Sequence, residues 1–117
     1  MPPKQLLMQI AIGDDQVPNL GSYWQARSMG IPVLGPTPTT PWGLTVQAGP
    51  VTGSAMVLMD GGAPPAPRTN LPAPDSGMHN LTRTQAASRR QIHDFFTTGS
   101  IVNECAGACT CASGACN

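Results

Sequence analysis

Proline and glycine cut this chain into short pieces, and that limits the folds open to it more than any other feature. The 117 residues include 13 prolines and 13 glycines. One block, residues 16–43, holds Pro18, Pro32, Pro36, Pro38 and Pro41 among Gly21, Gly30, Gly35 and Gly43. A second, residues 60–76, holds Gly61, Gly62, Pro64, Pro65, Pro67, Pro72 and Pro74. Proline fixes φ, removes a backbone donor and pushes the preceding residue toward extended geometry. Both blocks are therefore expected to be irregular. The run from Gly35 to Pro41 reads as extended and polyproline-like. The second block reads as a stiff arm or spacer, because proline rather than serine dominates it.

Regular structure is expected between the blocks. Residues 5–12 alternate, with Leu6, Met8, Ile10 and Ile12 on one face and Leu7, Gln9 and Ala11 on the other, which predicts a half-buried strand. Gly13-Asp14-Asp15 ends it in turn-forming residue types. Residues 44–48 and 55–59 read as two further strands joined by a Pro- and Gly-bearing loop, so a β-hairpin is expected. Leu44, Val46 and Ala48 share one face of the first, and Ala55, Val57 and Met59 one face of the second.

A helix is expected over 83–97. Thr82 and Gln85 match a capping box, and Leu81 could staple against Ala86. Gln85, Ser88, Ile92, Phe95 and Phe96 form its predicted inward stripe. Arg83, Arg89, Arg90 and Asp94 face out, with Arg90–Asp94 as an i,i+4 pair, and Gly99 stops the helix. The fold class is thus mainly β and irregular with one C-terminal helix: a small hairpin-centred core with long Pro/Gly-rich extended arms. Residues 1–104 form one small domain and 105–117 a cysteine-rich tail.

The material for a core is thin. Leu, Ile, Val and Phe total 21 residues, about 18% of the chain, below the ~20% at which ordinary cores become scarce. Only 12 residues are charged, six of each sign, and the net charge is zero. A sparsely charged surface with no net charge favours association. No basic stretch supports nucleic-acid binding, and Arg83, Arg89 and Arg90 read as a solvated helix face. No apolar run is long enough to span a membrane. Lys4 with the apolar stretch after it is a poor signal peptide, given Pro2, Pro3 and no small-residue cleavage site. Asn80-Leu81-Thr82 matches a glycosylation sequon, relevant only in a secretory setting.

All four cysteines, Cys105, Cys109, Cys111 and Cys116, lie in the last thirteen residues. Their C-x3-C-x-C-x4-C spacing fits no standard zinc or haem pattern. Two disulfides are expected, with three possible connectivities. Zinc held by the same four sulfurs, or free or modified thiols, are the alternatives. His79, in a loop, and His93, on a polar helix face, read as solvated histidines. Asp14-Asp15 reads as a turn rather than a catalytic carboxylate pair. No phosphate loop, nucleophile elbow or His-Glu metal motif is present, so the chain is expected not to be an enzyme and to need no cofactor.

Two segments resemble known families. The Thr-, Ser- and Cys-rich stretch 97–116 resembles the core peptide of thioether-bridged modified peptides, although the 96 residues before it depart from the acidic helical leaders of that class. Residues 53–68, Gly-Ser-Ala-Met-Val-Leu-Met-Asp-Gly-Gly-Ala-Pro-Pro-Ala-Pro-Arg, are similar to the strand-then-Pro-Ala-Ala-Arg phrase of secretion-spike tip (PAAR-like) proteins. The repeated Gly-Asp signatures and histidine ligands of that family are not evident, so the resemblance assigns no site residue.

The reading that joins these features is a structural subunit of a large assembly, a minor capsid or cement protein of a virion or an extracellular assembly. It would bind neighbouring subunits, including copies of itself, through its arms and through Tyr23, Trp24, Trp42, Phe95 and Phe96. The other readings are a small secreted or metal-binding module whose tail is the site, and a spike-tip protein.

Overall fold

The computed structural model describes residues 1, 3–64, 74–111 and 116. Among them are six strands and three α-helices. In order they are β1 (Leu7–Ala11), α1 (Asn19–Met29), β2 (Val33–Gly35), β3 (Val46–Ala48), β4 (Val51–Thr52), β5 (Ala55–Met59), a 3-10 turn at Met78–Asn80, α2 (Leu81–Thr84), α3 (Ala86–Thr98) and β6 (Ser100–Ile101). The chain is a mixture of strands and helices, and the helices are not confined to the C-terminal end.

Four strands form a parallel sheet in the order β1-β5-β2-β3. Strands β4 and β6 pair antiparallel beside it, Val51 opposite Ile101. The expected hairpin does not form: β3 and β5 run parallel, with β2 between them. The reason lies in Ala55-Met56-Val57-Leu58-Met59, whose five residues are all buried. A strand apolar on both faces belongs at the centre of a covered parallel sheet, not in a half-exposed hairpin.

The period-two faces of β1 are as the sequence predicts. Met8 packs with Met56, Leu58, Val33, Ile31 and Ala26 of α1, and Leu6, Ile10 and Ile12 border that cluster. Leu7 and Val57 belong to the opposite cluster, with Leu34, Val51, Met59, Ile101, Cys109 and Cys111. Helix α1 therefore covers one face of the sheet and α3 the other.

Helix α1 lies inside the block expected to be irregular. Pro18 occupies its N-cap and Gly30, at φ 65°, ends it with its N–H bonded to the Ala26 and Arg27 carbonyls. Proline at the start and left-handed glycine just past the end are helix punctuation, not helix prohibition. The rest of the block, from Pro36 to Thr45, has no regular element. It joins two parallel neighbours without the helix that such a connection usually contains.

The C-terminal helix is split. Gln85 is extended at ψ 133°, so α2 ends before α3 begins, and no side chain caps α3. The capping box is not made: Thr82 is inside α2, and the Gln85 side chain accepts a hydrogen bond from Cys116 N at 3.1 Å. Ala86 is exposed, and Leu81 packs on the α3-side core instead of against it. Arg90 pairs with Glu104 at 2.9 Å rather than with Asp94. Of the second arm, residues 65–73 lie outside the described residues, as do 112–115 of the tail.

Candidate functional site: helices with large side chains outward

Each long helix turns a pair of large apolar side chains outward. On α1 the buried residues are Ser22 and Ala26. Leu20 and Trp24, one turn apart, are 70% and 68% exposed. The next turn carries Arg27, whose Nη1 donates to Trp42 O at 2.7 Å and whose guanidinium lies 5.6 Å from the Trp42 ring centroid. This places Trp42, 86% exposed, beside the α1 stripe. On α3 the buried residues are Ala87, Ser88 and Gln91. Ile92 and Phe96, again one turn apart, face solvent, Phe96 with 80% of its surface. The predicted inward stripe is thus half wrong: Ile92 and Phe96 point away from the core, whereas Phe95 packs on it.

The cause on α3 is a polar contact between the sheet and the helix. Gln9 of β1 donates from Nε2 to Ser88 O and to Gln91 Oε1, both at 2.9 Å. Gln91 Nε2 donates to Val102 O at 2.6 Å, and Ser88 Oγ donates to Met59 Sδ at 3.0 Å. Buried amides must be satisfied, because leaving one unpaired costs about 1–3 kcal/mol. This thread fixes which face of α3 meets β1, and it rotates Ile92 and Phe96 outward.

The five aromatic residues singled out from the sequence therefore separate. Trp24, Trp42 and Phe96 are exposed, whereas Tyr23 and Phe95 pack against the two core clusters. Burial alone raises the Tyr23 pKa. Leu20 and Ile92 were missed, although their spacing of four from Trp24 and Phe96 was readable.

The tail is closed on itself and docked. Disulfides join Cys105 to Cys109 and Cys111 to Cys116. Asp60 N donates to Cys109 O at 2.9 Å, and Cys111 N donates to Asp60 O at 2.6 Å. The tail thereby continues the ladder just beyond β5, with Cys109 and Cys111 buried in the α3-side core. No described cysteine is free, so no thiolate is left to act as a ligand. Among the described residues no group of three or more His, Cys, Asp and Glu could hold a metal ion. The disulfides point to an oxidising, extracellular setting. Among the described residues no helix is long and apolar enough to cross a membrane.

A small cleft of about 190 Å³ opens at the carboxyl end of β1, lined by Gln9, Asp14, Ser22, His79 and Arg83 among others. His79 is not solvated: its Nδ1 lies 3.1 Å from Asp14 Oδ2. Arg83 Nη2 lies 3.3 Å from His79 Nε2. Arginine can only donate, so Nε2 accepts and Nδ1–H donates to Asp14. Partial burial raises the Asp14 pKa, but the Val17 and Gln16 amides and the His79 ring outweigh it, and the net shift is downward. Asp15 accepts from Ser76 Oγ at 3.2 Å. Both aspartates thus tie the loop before α1 to the segment before α2, and the ring presents no free nitrogen to the cleft. His93 is exposed beside Asp94, 3.3 Å away.

Compared with protein-family models, curated proteins and solved structures, the chain matches none.

Proposed function

We propose that the chain is a non-enzymatic structural subunit of a large assembly, a minor capsid or cement protein that holds neighbouring subunits together. One observation carries this reading: each long helix leaves a pair of large apolar side chains open to solvent, Leu20 and Trp24 on α1, Ile92 and Phe96 on α3. A free domain gains by the reverse arrangement, since burying a large apolar side chain is worth about 1.5–3 kcal/mol. Leu20, Trp24, Trp42 and Phe96 regain that free energy only when another surface covers them. Because α1 and α3 lie on opposite faces of the sheet, two separate neighbours can be held at once. That is the geometry a cement protein needs. The near-absence of net charge supports the same reading. The virion setting, with its oxidising exterior, accommodates the disulfides.

The test is sedimentation of native material from the source of the chain. The subunit reading expects the chain in a high-mass particle at fixed stoichiometry with another structural protein. Recovery of all of it as a free 12.1 kDa species sinks the reading.

A further inference from the structure

Between Gln16 and Met59 the chain carries a single charged side chain, Arg27. These residues supply α1, the Trp42 turn and the exposed edge strand β3. The opposite side, around α3, carries Arg83, Arg89, Arg90, His93, Asp94 and Glu104. α1, the Trp42 turn and β3 are therefore poor in charge, whereas α3 and its flanks are rich in it. We infer that the α1 face pairs with the same face of a second copy, as a two-fold dimer centred on Leu20, Trp24 and Trp42. This deepens the subunit reading by naming the partner of one of its two faces.

Three observations select a second copy over other occupants. First, desolvation: a charged partner surface laid on a face whose α1 helix carries only Arg27 would lose its hydration and gain little counter-charge. The surface that matches this face in apolarity and lack of charge is its own equivalent. Second, the lone cation is already engaged, stacked on Trp42 and bonded to its carbonyl. Two copies can meet without an unpartnered pair of like charges. Third, area: at the exposures given above, the two tryptophans and Leu20 offer roughly 500 Å² per copy. Two copies then cover roughly 1,000 Å², the floor for a specific contact. Two-fold contacts of one patch with itself are the commonest arrangement among oligomers.

Both tryptophans of the chain lie in this patch, so tryptophan emission, excited where tyrosine does not absorb, reports on it alone. The experiment is sedimentation velocity with fluorescence on the full, disulfide-intact protein across micromolar concentrations. Self-pairing expects the mass to rise from 12.1 kDa toward twice that value, with emission moving to shorter wavelength in step. Trp24→Asp and Leu20→Asp, both at exposed positions, each weaken the dimer by at least about thirtyfold while the far-ultraviolet circular dichroism is unchanged. Phe96→Asp, on the other face, leaves dimerisation as it was. A wild type that stays monomeric with concentration-independent emission overturns the inference. So does a dimer abolished by Phe96→Asp and untouched by Trp24→Asp, or a monomer whose emission shifts only on adding phosphatidylcholine vesicles. Failure here is separable from failure of the subunit reading: a chain monomeric alone but recovered in a particle refutes only self-pairing, and a dimer never found in a particle refutes only the subunit reading.

Discussion

The two faces of the sheet are held by different physics. On the α1 side the contacts are apolar: Met8, Ile31, Val33, Met56 and Leu58 meet Ala26, and α1 itself carries one charged side chain, Arg27. On the α3 side an apolar cluster is threaded by the Gln9–Gln91–Val102 amides, fastened by two disulfides and bordered by the Arg90–Glu104 ion pair. Apolar contact sets no particular rotation of a helix. A satisfied amide network does, because any other rotation leaves buried groups unpaired. The α1 layer is adaptable and the α3 layer is keyed, so the adaptable layer is the one suited to meeting a partner.

Substitutions can break that contrast. Leu58→Ala, on the α1 side, is expected to cost the most, about 3 kcal/mol in urea-induced unfolding, because it leaves a cavity in a fully buried strand. Gln91→Ala comes next, at about 2–3 kcal/mol, because it removes one of the two acceptors of the Gln9 amide and the side-chain donor to the Val102 carbonyl. A cost below about 0.5 kcal/mol there would mean that α3 is not keyed at all.

Replacing Cys111 and Cys116 together with serine should cost about 2 kcal/mol, from the chain entropy of a closure spanning five residues. The unreduced wild type should show no reactive thiol in denaturant; four reactive thiols would revive the metal-binding reading. A smaller effect is expected at a link between the two sides, where Asp14 precedes α1 and His79 precedes α2. The folded Asp14 pKa is lowered, so its contribution is present above the unfolded value of about 3.9 and lost as the pH falls through the folded one. Asp14→Asn should therefore lower the urea midpoint at pH 7, and the gap from wild type should close below about pH 4. Arg90→Ala, at an exposed pair, should change stability by less than about 1 kcal/mol.

How much of this was legible depends on what each residue answers to. The faces of β1 could be read because alternation depends only on the residues themselves. Strand partners could not, because pairing over distances such as Leu7 to Ala55 leaves no local mark. Helix α1 was hidden by Gly21 and by a stripe whose large residues face out. Its bracket of Pro18 and Gly30 was the readable signal. The capping box failed for a tertiary reason, since the Gln85 side chain is claimed by the tail. Asp60 gave no sequence signal, because it holds the tail through backbone atoms alone. The outward aromatics could be named as contact residues, but which of Phe95 and Phe96 faces out depended on the Gln9–Gln91 contact, 82 residues apart in sequence.

The strand order has a consequence in time. β1 and β2 are the first two strands to leave the ribosome, yet neither pairs with the other, because β5 sits between them. Until residues 55–59 have been synthesised, β1 has no partner, and its apolar residues wait in a nascent chain with nothing to pair with. The sheet closes only when its central strand slides in last, a high-contact-order step that comes late and leaves the early chain dependent on whatever shields it meanwhile.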